Sequence, residues 1–246
     1  MIDLKGYEWS LLEGAWVTLQ VALLSLGLAM LLGMLGALAK LSKFGWLRGI
    51  ATVYTTVIRG IPDLVLMMLI FYGGQMLLNN SLYGINEWLN EYMADQDPNH
   101  DWTSYLPDYI DVSPFIAGIL TIGFIFGAYM AETFRGAIMA VDSGEMEAAR
   151  AYGMSSSLAF RRILLPQMIR HALPGFGNNW LVLLKTTALV SIIGLDDMVR
   201  KGALAAGSTQ MPFTFYFTVA LIFLLFTSIS TTGLRWMERR FSIHTR

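Results

Sequence analysis

Few residues in this chain are able to make or break bonds. There are three histidines, His100, His171 and His244, and no cysteine. None of the histidines is spaced with a second ligand, and the sequence contains neither a G-x-x-x-x-G-K-[ST] phosphate loop nor an H-E-x-x-H helix. No metal or nucleotide is expected on the chain itself. Ser191 has no histidine near it in sequence, which argues against an intramembrane nucleophile and base. What the chain does offer is a set of charged and polar residues in apolar surroundings. Arg59 and Asp63 flank Pro62, Glu132 and Arg135 stand three apart, and Asn178, Asn179, Lys185, Thr187, Ser191 and Asp196 share one stretch. A charge at the centre of a bilayer costs about 2.5 to 3.5 kcal/mol on insertion scales, so it persists only beside a partner or a water-filled path. Recognition of a polar solute is the chemistry these residues suggest.

Each group also has a plainer reading. Glu132 and Arg135 can neutralise each other across one helical turn. Asp196 and Asp197 can attract a cationic side chain, or they can pair with Arg200 and Lys201 close by. Gly175, Gly177 and the polar residues that follow make the segment around 172–196 too polar to face lipid, and a broken helix there would aim backbone dipoles at a zwitterion. Met67, Met68 and Met76 read as packing or lipid-facing residues.

The elements that must position these groups are membrane helices. The 246 residues are 55% hydrophobic and only 14% charged, with a mean hydropathy of +0.52, too little polar surface for a soluble globule. Crossing the hydrocarbon takes about 20 apolar residues, and no charge lies between Glu13 and Lys40, Asp63 and Glu87, Asp111 and Glu132, or Lys201 and Arg235. With a weaker stretch interrupted by Lys185, the expectation is an all-α integral membrane domain over residues 1–246. Its spans fall at about 11–39, 50–79, 113–136, 172–196 and 212–236. The first span lacks a basic n-region and a small-residue cleavage site, so it is expected to be retained. Lys and Arg concentrate after the first and third spans and in the tail, whereas the loop over about 80–112 has seven acids, Glu87 to Asp111, and none of either. This sets the N-terminus outside and the C-terminus in the cytoplasm. Arg200 and Lys201 are assigned to neither side. The aromatic residues of the outer loop, Trp88, Tyr92, Trp102, Tyr105 and Tyr109, fit an interfacial belt, and its acids fit a docking face for a cationic solute or its carrier.

Between the third and fourth spans, over about 142–166, the sequence turns polar and small. Glu147, Ala148, Ala149, Arg150, Ala151 and Tyr152 favour a helix that Gly153 can close with positive φ. Ser155 to Ser157 can cap a second helix running to Ile163, and Pro166 suits the start of the next. A mere connection needs only a handful of residues. Two readings fit: an interfacial helix pair with arginines on lipid headgroups, or a knob for another protein, its paired alanines allowing close backbone approach.

Glu147-Ala148-Ala149, Gly153, Ile163, Leu165 and Pro166 resemble, in every specified position, the EAA loop of permease subunits of bacterial ATP-binding-cassette importers. RGIPDLVLMMLIFYGGQ at 59–75, AETFRGAI at 131–138 and RHALPGFGNNWLVLLKTTALVSIIGLDDM at 170–198 are similar to the polar-amino-acid branch, within it the Q-type subunits of histidine/lysine/arginine/ornithine importers. The resemblance implies a type I (MetI-like) permease fold in a bacterial inner membrane and a coupling helix, Arg150 included, that inserts into a groove on a cytoplasmic ATPase. It further implies a dimer of those ATPases carrying ATP and Mg, a second identical or homologous permease chain, a periplasmic amino-acid-binding protein, and no nucleic acid. Transport of polar L-amino acids, the basic ones (arginine, ornithine, lysine, histidine) above all, is the implied role. A self-contained ion-coupled carrier or channel would instead predict internal repeats and a carboxylate relay at mid-membrane, and neither is visible.

Overall fold

The structure, a computed structural model, describes residues 4–94, 107 and 109–241. Among these the regular elements are helical: α1 Glu8–Lys40, α2 Gly45–Gly60, α3 Asp63–Met68, a π turn Leu69–Gly73, α4 Gly74–Ala94, α5 Pro114–Met139, α6 Ser143–Ala151, α7 Ser156–Ala159, a π turn Phe160–Leu164, α8 Leu165–Thr186, a 3-10 turn Thr187–Ile193, α9 Met198–Thr209 and α10 Pro212–Phe241. Among the described residues five stretches are long and apolar enough to cross a membrane: Glu8–Lys40, Asp63–Tyr92, Pro114–Met139, Ser156–Ile193 and Pro212–Phe241.

Small residues set the close approach of the helices, as expected where lipid already solvates every Leu, and large buried side chains such as Ile122, Phe126, Met130 and Leu183 fill the core beside them. On α1 the buried positions include Gly14, Thr18, Ala22, Ser25, Ala29, Gly33, Gly36 and Ala37, which recur at helical spacing along one face. α5 lies parallel to that face. Ser25 Oγ donates to the Ile119 carbonyl at 3.3 Å. A Cβ placed on Gly33 would stand 3.0 Å from the Met130 backbone carbon, and one on Gly36 2.9 Å from Ala131 Cβ. α8 runs antiparallel to α5, with Gly118 against Val190 at one end and Gly175 against Thr133 at the other. α10 in turn lies antiparallel to α8, Leu234 closing on Gly177.

The second span differs from the expectation of 50–79. Ile61 and Pro62 are extended, at ψ 139 and ψ 134, and split that stretch into α2 and a span that begins at Asp63. Proline lacks the N–H for the ladder and drives the residue before it out of helical geometry. The helix then continues to Ala94, so the expected outer loop is helical over its first half. Gln75 and Asn79 side chains pin the returning chain by accepting the N–H groups of Val112 at 3.0 Å and Ile110 at 2.8 Å. Trp88 and Tyr92 are exposed and stacked, with ring centroids 5.5 Å apart, and Tyr109 is exposed. Asp95, Asp97, Asp101, Asp108, Trp102 and Tyr105, like His100 and His244, lie outside the described residues.

The fourth span also differs at its start. Instead of a separate helix ending near Ile163, residues 156–193 form one rod. Leu165 N–H reaches back five residues to the Phe160 carbonyl, a π turn placed just before Pro166, which has no N–H to give. At its far end the rod closes at Gly194, φ +95, and α9 folds against the start of α1. Thr18 Oγ1 accepts the Met198 N–H at 3.2 Å, Lys201 Nζ bonds Glu13 at 2.7 Å, and Tyr7 and Ser208 hydroxyls meet at 2.8 Å. Arg200 and Lys201, left unassigned by the charge pattern, therefore sit at the end of the bundle opposite the 142–166 hairpin.

Asp197 caps α9, accepting the Arg200 N–H at 2.9 Å, and is fully buried with Oδ2 unpartnered. Burial pushes its carboxyl from 3.8 up to about 6, against the pull of the α9 backbone N–H groups and Arg200. A folded-state value above the unfolded one means that the contribution to stability is full below pH 3.8 and is lost as pH rises through about 6. At about 1.36 kcal/mol per unit this is on the order of 2–3 kcal/mol. The melting temperature in detergent should fall across that window, and Asp197→Asn should flatten the fall; equal slopes in the two proteins would contradict the assignment. Gly33→Val should cost about 1–3 kcal/mol by overpacking against α5, whereas Gly27→Ala, which meets no atom within 4 Å, should melt like the parent.

Candidate functional site

The hairpin between α5 and α8 is built by local chemistry. Asp142 caps α6 by accepting the Gly144 N–H at 2.8 Å. The other end closes with Gly153 at φ +78, Gly153 N–H on the Arg150 carbonyl at 2.9 Å and Met154 N–H on that of Ala149 at 3.0 Å. This is a Schellman closure, and the left-handed backbone it needs is easily adopted only by glycine. Ser155 then caps α7, accepting the Leu158 N–H at 3.4 Å. Glu145 and Gln167 side chains tie α6 to α8.

The residues singled out here divide into two groups. Glu147, Ala148, Arg150, Gly153 and Pro166 are exposed, and Tyr152, at 88%, projects beyond them. Ala149 is buried, and Ile163 and Leu165 are half-buried against the molecule. The expectation that both alanines are open to another backbone is thus corrected: Ala148 is open, whereas Ala149 fills the inside of the hairpin.

Inside the bundle, one turn of α5 gathers the polar residues. Tyr129 lies under the Arg59 guanidinium, 5.5 Å from its ring centroid, and interacts electrostatically with Asp63, so that it neighbours both sides of the Pro62 break. Glu132 accepts from Lys40 and, at 2.9 Å, from Arg135, while Lys40 also donates to Thr55 Oγ1 at 2.8 Å. Thr133 Oγ1 accepts from Asn179 at 2.9 Å. Tyr129, Lys40, Thr55 and Thr133 are not among the site candidates that the sequence offers. The available signal was polar residues at i, i+3 and i+4 in an otherwise apolar span.

The remaining candidates on the fourth span scatter. Thr187 and Ser191 donate to carbonyls of their own helix, Leu184 at 2.7 Å and Ala188 at 2.8 Å. Asp196 is exposed and pairs with Arg200 at 2.9 Å, the plainer of its two readings. Asn178 and Lys185 are both exposed, two turns apart on one face of α8 with Val182 between them. Neither makes a hydrogen bond or ion pair among the described residues. A carboxylate could meet Lys185 from outside this chain. No group of three or more His, Asp or Glu able to hold a metal occurs among the described residues.

Residues 29–243 match the family model described as "binding-protein-dependent transport system inner membrane component". The chain is 49% identical over 242 residues to the histidine/lysine/arginine/ornithine transport system permease protein HisQ of Salmonella typhimurium, covering 98% of this chain and 96% of the relative. Among solved structures, one described as an amino acid ABC transporter with histidines superposes with a TM-score of 0.75 at 30% identity, covering 98% of this chain and 99% of its own. The inward-facing MetNI methionine ABC transporter shares the fold, with a TM-score of 0.69 at 16% identity over 96% and 97% of the two chains. With five membrane-length helices and a structured hairpin between the third and fourth, the chain belongs to the binding-protein-dependent inner membrane components, permease subunits of ATP-driven importers whose ATPase is a separate chain.

Proposed function

We propose that this permease subunit moves basic L-amino acids of the arginine, ornithine, lysine and histidine class into the cytoplasm by alternating access. The observation that carries the substrate class is its near-full-length likeness to a permease named for those amino acids. The acids of the 80–112 segment support the same class, since a negative surface concentrates cationic solutes by focusing the field.

In this reading the hairpin is on the cytoplasmic side and the N-terminus outside, which the distribution of Lys and Arg supports. Glu147, Ala148, Arg150 and Tyr152 form the face that enters a groove on the ATPase, with Gly153, Ile163, Leu165 and Pro166 setting its shape. Nucleotide and Mg bind there, on a dimer of ATPase subunits. A second permease chain, identical or homologous, completes the pathway, and a periplasmic binding protein delivers the solute. Closure of the ATPases drives the two hairpins together and rocks the helices around a path between the permeases. Lys185 and Asn178 border that path. An ammonium with no partner among the described residues is costly in hydrocarbon and suits the α-carboxylate of a passing amino acid. Arg59 and Asp63, beside the broken backbone at Pro62, are the second set of residues proposed to border it.

Glu147→Arg should abolish co-elution of the ATPase while leaving the chain monodisperse. Gly153→Val should strain the closure by about 1–2 kcal/mol and raise hydrogen exchange over 143–159. Retained co-elution in both variants would remove the hairpin from the coupling role. In competition for uptake by the reconstituted complex, arginine, histidine, glutamate and leucine should rank with arginine or histidine first; a leading glutamate would contradict the substrate class.

A further inference from the structure

The Lys40, Glu132 and Arg135 cluster remains unexplained by solute recognition, because both carboxylate oxygens of Glu132 are engaged within the protein. One oxygen accepts from Lys40 Nζ, the other from Arg135 Nη2 at 2.9 Å and Nε at 3.0 Å. The side chains of Lys40 and Glu132 are only 13% and 19% exposed. The bond spans 92 residues of sequence. By contrast, the ion pairs at the opposite end, Glu13 with Lys201 and Asp196 with Arg200, use acids that are 54% and 70% exposed.

The position of the cluster matters more than its charge. Glu132 stands two turns before the end of α5 at Met139. Only Ala140, Val141 and the cap Asp142 separate that end from α6, and they are not slack: Ala140 N–H bonds the Gly136 carbonyl at 3.0 Å, Val141 N–H that of Ile138 at 3.3 Å, and Val141 is buried. A push on the hairpin therefore reaches Glu132 through continuous hydrogen-bonded backbone. From Glu132 it passes to Lys40, the last residue of α1, and through Lys40 Nζ to Thr55 on α2, at 2.8 Å. α2 ends at the extended Ile61–Pro62 link, beyond which the second span begins. Arg135 is held in turn toward the hairpin end by Met139, its Nη1 lying 3.2 Å from the sulfur.

We infer that Glu132 is a positioning residue that carries hairpin displacement to α1 and to the hinge between α2 and the second span, so that ATP hydrolysis moves the helices along the path. Glu132, which the sequence suggested as a solute contact, is reassigned to this joint. The inference rests on the permease reading, and the two can fail separately. If the wild-type complex, reconstituted with its ATPase and second permease and supplied with binding protein, shows no ATP-dependent uptake, the permease reading fails. The inference is tested within a complex that does transport, by the number of solutes moved per ATP hydrolysed.

Glu132→Gln and Lys40→Met should keep hydrolysis within about twofold of wild type while lowering uptake per ATP at least about fivefold, and Lys40→Arg, which keeps the cation, should restore most of it. A purely structural clamp would instead lower hydrolysis, uptake and melting temperature together. Should Glu132→Gln fail to assemble, Thr55→Val decides: it removes the acceptor of Lys40 on α2, together with a 3.2 Å donation to the Thr52 carbonyl of the same helix, and leaves no buried charge unpaired. Uptake per ATP should then fall about twofold or more at an unchanged melting temperature. A wild-type ratio in Thr55→Val and Lys40→Met, or a Lys40→Arg variant as impaired as Lys40→Met, would overturn the inference.

Discussion

Hydrocarbon offers no partner to an ion, so an ionised group within the bundle must find one in the protein or in a wet path. In this chain the densest such partnering lies on a single turn of α5, whereas Lys185 on the fourth span has no partner among the described residues. Tyr129, Glu132 and Thr133 face three neighbours: Tyr129 lies beside Arg59 and Asp63 at the Pro62 break, while Glu132 and Thr133 hydrogen-bond α5 to the end of α1 and to α8. The rest of the bundle fits around that turn. α1 can approach α5 closely enough for Lys40 to reach Glu132 because Gly33 and Gly36 leave room for the α5 backbone. α8 can place Asn179 on Thr133 because Gly175 lies against the same threonine.

Proline and glycine then decide where helices yield. Pro62 breaks the chain between Arg59 and Asp63, and Tyr129 lies beside both. Gly153 and Gly194 close helices with positive φ at opposite ends of the molecule, one shaping the hairpin, the other turning the chain into α9. The regular packing of α1 on α5 is interrupted by none of these. What results is a rigid pair of parallel helices flanked by segments with built-in breaks, a layout suited to rocking one part against another.

Much of this is legible in the sequence, for identifiable reasons. Uncharged runs give the five spans because a bilayer tolerates few charges, and the caps at Asp142, Ser155 and Gly153 are local chemistry that needs no tertiary information. The break at Pro62 is visible as well, but its consequence is not. Hydropathy alone runs from α2 into the second span, so it starts that span too early and gives no sign that the 80–112 segment is helical over its first half. The division of the hairpin into exposed Ala148 and buried Ala149 depends on which face α8 covers, which a pair of adjacent alanines cannot reveal. Lys40 and Thr55 escape notice because each looks ordinary at the end of one helix or along another, and only folding brings them to Glu132.

The most direct test is which side of the membrane each end of the bundle faces. The chain has no cysteine, so single introductions have no background. Tyr152→Cys marks the exposed hairpin and Gly207→Cys the exposed face of α9 at the opposite end. With a membrane-impermeant maleimide, Tyr152→Cys should react in inside-out vesicles and stay unlabelled in intact spheroplasts, and Gly207→Cys should behave in the reverse way. Labelling of Tyr152→Cys from outside intact spheroplasts would put the hairpin beyond reach of any cytoplasmic ATPase and contradict the coupling role on which the proposed mechanism depends.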